Sequence, residues 1–326
     1  MKLLEKFLMP RLSWIQLEVS GLCNASCFYC PHTTYRKKWK GRNFSIYEFQ
    51  KIVPYIEKVD LLYLQGWGEP FCNPEFFKFV EIAKKLGCKV GTTTNGMLIK
   101  DSDVERIIDL QMDVIAFSLT ENKTNDKMRE GTKIEKVLKV IEQINELKIK
   151  NSSSNPIINI AYMCLKSNFS ELDEIPDTFH SKGISTVVVS FLDFIPNESL
   201  KAEAILPQTE EEFKNLNEKA LEIIEKSNKY NLSLSFNIPH PSHRRAMCTE
   251  KPLYTLFINS LGYVSPCVFT GIPAERNENI YFGDINNKTL PAIWRQREYK
   301  KFRKTHCSSN PPSVCKTCPK LRIFNP

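Results

Sequence analysis

The 326-residue chain is 42% hydrophobic and 25% charged, ordinary for a globular protein and unlike a disordered or fibrous one. Lys and Arg outnumber Asp and Glu by 45 to 37, a net charge of +8, and the length has room for one large domain and a small one. Eleven cysteines are too dilute for a disulfide scaffold, so their spacing has to decide between metal binding, catalysis and packing.

At the N-terminus Glu5, Lys6 and Pro10 break up the apolar residues, which excludes the continuous apolar core of a signal peptide. No run approaches the roughly eighteen apolar residues of a membrane-spanning helix, so neither membrane association nor export is expected. A reducing cytoplasm is the expected location. The basic runs Arg36–Lys40 and Arg295–Lys304 are read as solvated faces, because the second interleaves Tyr299 and Phe302 with its charges; nucleic-acid binding is not expected.

Short apolar runs at Trp14–Val19, Val59–Leu64, Lys89–Thr94, Val114–Leu119, Ile157–Cys164 and Thr186–Phe191 predict six strands. Helical patterns near 45–57, 74–86, 101–110, 133–149 and 170–182 lie between and around them. In the fourth, Ile134, Val137, Leu138, Val140, Ile141, Ile144 and Leu147 recur at three- and four-residue steps. Strands alternating with helices predict βα units and a parallel sheet, with ligands gathered at the carboxyl ends of the strands. A helical stretch at 208–229, an apolar run Leu232–Phe236 and a linker at His240–His243 follow. The expected division is an N-terminal extension 1–12, a barrel region 13–236 and a cysteine-rich region 237–326.

After the first predicted strand come Cys23, Cys27 and Cys30, spaced C-x3-C-x2-C. A zinc site would need a fourth ligand, which His32 could supply. An iron–sulfur cube held by three thiolates would leave one iron open for another ligand. Further motifs fall at later strand ends: Gly66-Trp67-Gly68-Glu69-Pro70, then Thr93-Thr94-Asn95-Gly96, then Ser118. Downstream, Cys248 and Cys267 form C-x13-G-x4-C around Gly262, and Cys315 and Cys318 form C-x2-C, a spacing that a zinc ribbon shares.

The first triplet, with an aromatic residue before its last cysteine, resembles the radical S-adenosylmethionine (SAM) superfamily over residues 13–192. Gly66–Pro70 looks like that family's GGEP element, with Trp67 in one position, and Thr94–Gly96 is similar to its TNG. The second cysteine set resembles a SPASM/twitch auxiliary domain. The resemblance implies a partial (β/α)6 TIM-like barrel carrying a small cysteine-rich α+β domain. It implies a [4Fe–4S] cluster on Cys23, Cys27 and Cys30 with SAM at the open iron, and SAM contacts from Gly66, Gly68, Glu69, Asn95, Ser118 and Arg129. It implies one auxiliary [4Fe–4S] cluster on Cys248, Cys267, Cys315 and Cys318. Only eight residues follow Cys318, none of them cysteine, so no second auxiliary cluster is expected. Cys307 is read as a free thiol, with a ligand role as the alternative.

The implied chemistry is reductive cleavage of SAM to a 5′-deoxyadenosyl radical, with electrons from a donor such as ferredoxin or flavodoxin, and hydrogen abstraction from a substrate. A two-electron oxidation aided by the auxiliary cluster is the expected outcome, on a small molecule or cofactor precursor. Asp193 and Cys164 are candidate proton acceptors; Cys72 and Cys164 are candidate hydrogen donors if the reaction is an epimerisation. Cys72, Cys88 and Cys164 also fit plain buried thiols. About twelve residues precede the first strand, so no leader-peptide module is expected there; a peptide or protein maturase is the alternative. From another class, a non-catalytic zinc or iron–sulfur module touching RNA stays open.

Overall fold

The computed structural model describes residues 8–121 and 124–324. Seven strands lie parallel and side by side in chain order: β1 (Leu12–Leu17), β2 (Val59–Tyr63), β3 (Lys89–Thr94), β4 (Val114–Leu119), β5 (Ile157–Cys164), β6 (Thr186–Phe191) and β7 (Ser233–Pro239). The helices α1 (Phe76–Lys85), α2 (Asp101–Asp109), α3 (Ile134–Lys150), α4 (Ile175–Phe179) and α5 (Glu210–Asn228) occupy the crossovers. The chain is thus α/β, an open partial TIM-like barrel with a smaller C-terminal part. Among the described residues no helix is long and apolar enough to cross a membrane.

Strand periodicity explains which side chains reach the barrel interior. Along β5, Ile158, Ile160, Tyr162 and Cys164 are buried, while Asn159, Ala161 and Met163 on the opposite face are only half-buried. Outside the sheet, α3 buries Ile134, Val137, Val140, Ile141 and Ile144 along one stripe. Each such side chain contributes about 1.5–3 kcal/mol by leaving water, so this stripe seats the helix on the sheet.

Four predicted strands, β3 to β6, agree with the observed bounds at both ends. β1 lies two residues earlier than expected and β2 ends one residue earlier, and three further regions differ in kind. The helical pattern at 45–57 is two one-turn helices, Ile46–Phe49 and Val53–Ile56, because Pro54 cannot donate to a preceding turn. The pattern at 170–182 begins as a 3₁₀ segment, Lys166–Glu174, and becomes α4 only where Pro176 can sit in the first turn. The run at Leu232–Phe236 is a seventh parallel strand beyond the six expected. Its alternation of buried Leu234, Phe236 and Ile238 carries β7 three residues past the expected division at 236/237.

The C-terminal part extends the sheet at both edges. β8 (Thr255–Ile258) pairs parallel with β1, placing Thr255 opposite Trp14, and β9 (Tyr263–Ser265) and β10 (Gly283–Asp284) continue antiparallel. At the far edge β11 (Ile323–Phe324) pairs antiparallel with β7. Between them lie α6 (Leu290–Arg295) and α7 (Arg297–His306). Both edges of the seven-stranded barrel sheet are therefore capped by the segment that carries the second cysteine set.

Just past β1, Glu18 is fully buried, and its carboxylate accepts from the Trp67 N–H at 2.8 Å and the Ser260 N–H at 2.9 Å. Burial pushes its pKa up, and those backbone donors pull against it. One side chain thereby ties the end of β1, the loop after β2 and the hairpin between β8 and β9. Glu18→Ala leaves two buried N–H groups without an acceptor and should cost ~2–4 kcal/mol in urea unfolding. Glu18→Gln, which keeps one acceptor oxygen, should lose less; equal losses would show that the carboxylate is not the tie.

Candidate active site and auxiliary cysteine site

Cys23, Cys27 and Cys30 sit on the loop that leaves β1. Their thiols face one cavity of about 300 Å³ at the carboxyl ends of β1 to β6, which Gly66, Gly68, Glu69, Asn95, Ser118 and Arg129 also line. The structure therefore brings together every side chain named above for the cluster and for SAM. Burial pushes the Cys23 and Cys30 thiols up to about 12, and repulsion from neighbouring thiolates adds to it. Positive charge placed among these sulfurs would reverse that balance, as metal ions do for thiols.

Several polar ties hold the loop in place. Ser26 N–H donates to the Glu130 carbonyl at 2.7 Å and Phe28 N–H to the Met128 carbonyl at 3.2 Å. Gly131, at φ +90°, permits that approach, since a Cβ there would come within 2.8 Å of the Asn24 carbonyl. From the next loops, Asn95 Nδ2 donates to Asn24 Oδ1 at 2.9 Å. Glu69 is buried and accepts from Thr94 Oγ1 at 2.6 Å, Asn95 N–H at 2.7 Å and Phe71 N–H at 3.2 Å. It joins the Gly66–Pro70 loop to the Thr93–Gly96 loop, so its carboxylate is spent on the scaffold. The two glycines are steric requirements as well: a Cβ on Gly66 would overlap Glu18, and one on Gly68 would overlap the Ser20 carbonyl.

Arg129 is 6% exposed, and its guanidinium donates to the Tyr29 hydroxyl at 2.5 Å, while Nε has no hydrogen-bond partner. Burial opposes the charge, but Tyr29 and the neighbouring cysteines hold its pKa above the usual arginine value. An unsatisfied charged donor on a cavity wall is what an anionic or oxygen-bearing ligand would engage.

Cys248, Cys267, Cys315 and Cys318 line a second cavity, of about 280 Å³. Burial drives Cys267 and Cys315 up to about 12, and pushes Cys248 and Cys318 upward too. Cys307 is exposed at the end of α7 and does not line this cavity. Among the described residues, no three His, Cys, Asp or Glu side chains gather as they would around a single metal ion. His32 lies against Trp39, ring centroids 4.7 Å apart, and is absent from the Cys23 cavity wall. Three thiols around a cavity of about 300 Å³ and four around one of about 280 Å³ are donor sets that suit iron–sulfur clusters.

A third cavity, of about 300 Å³, joins the other two. It shares Tyr29, Cys30, Gly66 and Trp67 with the first, and Asp193, Phe194, Glu250, Phe269 and Lys320 with the second. Asp193 Oδ2 pairs with Lys320 Nζ at 2.7 Å, both side chains largely buried. Trp67, Phe194 and Phe269 meet with ring centroids 5.5–5.8 Å apart, and Trp67 Nε1 donates to the Val268 carbonyl at 3.0 Å.

Two candidate residues fall outside these cavities. Cys164 belongs to the hydrophobic core, because the β5 alternation turns it away from the interior that Ala161 and Met163 line. This placement fits the plain buried thiol that the sequence also allowed. Cys72 ends the one-turn 3₁₀ segment Pro70–Cys72, which carries it out of the three cavity walls. This placement also fits the packing thiol that the sequence allowed. The roles of Glu18, Tyr29, Glu250, Lys320 and His306 lie outside the sequence-based candidates. Tyr29 left a trace as the aromatic residue before Cys30, and Glu18 as a charge at the end of an apolar strand run.

The model of the radical SAM superfamily matches residues 17–175, and that of the SPASM iron–sulfur cluster-binding domain matches residues 248–319. The chain carries a radical SAM domain followed by a SPASM domain. Such domains bind [4Fe–4S] clusters and SAM, and the protein is a radical SAM enzyme. It is 24% identical over 320 residues to the tungsten-containing aldehyde ferredoxin oxidoreductase cofactor-modifying protein of Pyrococcus furiosus, covering 90% of this chain and 83% of that one. In fold it is similar to SuiB of Streptococcus suis bound to S-adenosylmethionine: TM-score 0.70, 19% identity, 98% of this chain and 74% of that chain. It is also similar to anSMEcpe with bound AdoMet: TM-score 0.67, 18% identity, 94% of this chain and 88% of that chain.

The cavity wall holds Cys315 and leaves out Cys307, a difference that iron analysis can check. Cys315→Ser should remove about four of about eight irons per chain from anaerobically prepared protein. Cys307→Ser should leave iron and sulfide unchanged, and a comparable loss there would overturn the exclusion of Cys307.

Proposed function

We propose that this radical SAM enzyme carries out a two-electron oxidation of a small molecule or cofactor precursor bound in the chamber between its two cysteine sites. The observation that carries the reading is the continuity of the three cavities. One wall of the chamber bears Cys30 and Gly66, and the opposite wall bears Asp193, Lys320 and Phe269 next to the four-cysteine cavity. The cofactor-modifying function in the name of the Pyrococcus furiosus relative favours a cofactor-like substrate over a peptide.

When bound, a cluster and SAM at Cys23, Cys27 and Cys30 supply reductive cleavage and hydrogen-atom abstraction, and a cluster at the other four cysteines supplies an electron acceptor. The chain's own residues prepare the rest. In this reading Gly66 and Gly68 let backbone carbonyls approach the SAM ammonium group, and Asn95 and Ser118 bound the same pocket. Arg129 offers its unpaired Nε to SAM, with Tyr29 fixing the guanidinium. Glu69 acts through the loops it joins. Across the chamber, Lys320 holds Asp193 Oδ2, leaving Oδ1 to accept the proton that the substrate gives up. Trp67, Phe194 and Phe269 exclude water from that side and present flat apolar faces to the substrate. Exposed Arg36, Lys37 and Lys38, directly after the cysteine loop, offer a positive face to an acidic donor such as ferredoxin or flavodoxin.

The test is 5′-deoxyadenosine formation by anaerobic protein with SAM and reductant. Addition of the low-molecular-mass fraction of a cell extract should raise the rate above the substrate-free level, and with flavodoxin as reductant added salt should slow it. No 5′-deoxyadenosine from iron-replete protein would defeat the enzymatic reading. Stimulation by the peptide or protein fraction alone would defeat the substrate class.

A further inference from the structure

The four-cysteine cavity has a lining residue that the proposed function leaves unused. On α7, Tyr299, Phe302 and His306 share the buried stripe of the helix, at spacings of three and four residues. His306 is 1% exposed, and neither ring nitrogen has a hydrogen-bond partner. The ring lies parallel to Phe302, 19° between planes, and lines the cavity together with Cys248, Cys267, Cys315 and Cys318. Burial pushes its pKa down, so the imidazole is neutral and carries one N–H and one bare nitrogen.

A buried imidazole with both nitrogens unpaired forfeits about 1–3 kcal/mol per group, and buried polar groups in native proteins are almost always paired. Two of the polar side chains on the same wall are engaged elsewhere, while Glu250 and Thr317 also line it and make no hydrogen bond to His306. Thr270 Oγ1 meets Ser265 Oγ at 2.9 Å and Cys267 Sγ at 3.4 Å, and Lys320 is paired with Asp193. Four cysteine thiols share the wall with the ring. A thiolate-bound cluster filling this cavity would bring many sulfur acceptors to a ring that lacks an acceptor for its N–H.

We infer that His306 donates an N–H hydrogen bond to a sulfur of the auxiliary cluster, either a cysteine thiolate or a bridging sulfide, and thereby raises the cluster's reduction potential. The inference rests on the reading that Cys248, Cys267, Cys315 and Cys318 hold that cluster. Reduction adds negative charge to the sulfurs, and a donor aimed at them stabilises the reduced form more than the oxidised one. His306 touches the cofactor and not the substrate, so it acts by making the auxiliary cluster a better electron acceptor. Phe302 and the helix fix the ring, so the donor is already in place before any electron arrives.

The experiment uses the full chain with Cys23, Cys27 and Cys30 all changed to Ala, so that only the auxiliary cluster gives a paramagnetic signal on reduction. His306→Phe in that background should keep about four irons and shift the midpoint to more negative potential, an about tenfold change in the equilibrium constant for reduction. His306→Gln, which keeps an N–H donor, should lie between the two. With ¹⁵N-histidine in the chain that retains His306, pulsed EPR of the reduced cluster should show a histidine nitrogen coupling. That measurement does not require the His306→Phe chain to fold. An unchanged midpoint with the cluster present, or no nitrogen coupling, overturns the inference about His306 alone. Loss of all iron on removing Cys23, Cys27 and Cys30 overturns the reading on which it rests.

Discussion

The buried carboxylate of Glu18 is the constraint on which the rest of the site depends. A lone carboxylate in an apolar interior is costly, and this one is offset by backbone N–H groups from two distant loops, those of Trp67 and Ser260. The geometry that satisfies it leaves no space for a side chain at Gly66. It also fixes the start of the Gly66–Pro70 loop, so that Trp67 turns its indole towards Val268 and the aromatic wall of the chamber. At the other end it holds the turn after β8, from which β9 leads directly to Cys267. A side chain just past the barrel's first strand therefore ties the loop after β2 to the hairpin that leads to Cys267.

Polar locks of the same kind recur around the first site. Glu69 joins two loops, Asn95 reaches the cysteine loop, and Arg129 meets Tyr29 beneath it. Each lock is a buried polar group with specified partners, and such groups demand one arrangement where an apolar wall would accept several. The barrel core supplies the stability, and these groups supply the register of the strand-end loops. The same principle makes the Asp193–Lys320 pair informative. Two largely buried charges are expensive to bring together for stability alone, and this pair stands where the proposed substrate chamber meets the second cavity.

Much of the fold was legible in the sequence because its signals are local. Period-two and period-3.6 apolar patterns located β3 to β6 and α3, and the cysteine spacings located both sulfur sites. What the sequence left open about Cys164 and Cys72 was local: the alternation along β5 puts Cys164 in the core, and the turn Pro70–Cys72 takes Cys72 off the cavity walls. Other residues depend on long-range contacts. Lys320 and Glu250 gain their significance only when the C-terminal part folds over the barrel mouth, bringing them to Asp193. His306 reads in sequence as one more polar residue on a basic helix, and only its burial against four cysteines gives it meaning. The eleven cysteines accordingly divide into three at the first site, four at the second and four outside both.

The central claim is that two separate iron–sulfur sites face one shared chamber. Anomalous X-ray scattering at the iron edge, from crystals grown without oxygen, tests it most directly. Two iron centres are expected, one among Cys23, Cys27 and Cys30 and one among Cys248, Cys267, Cys315 and Cys318, with Trp67, Asp193 and Lys320 in the space between. A single iron centre, or scattering at the zinc edge from either cysteine set, would contradict it.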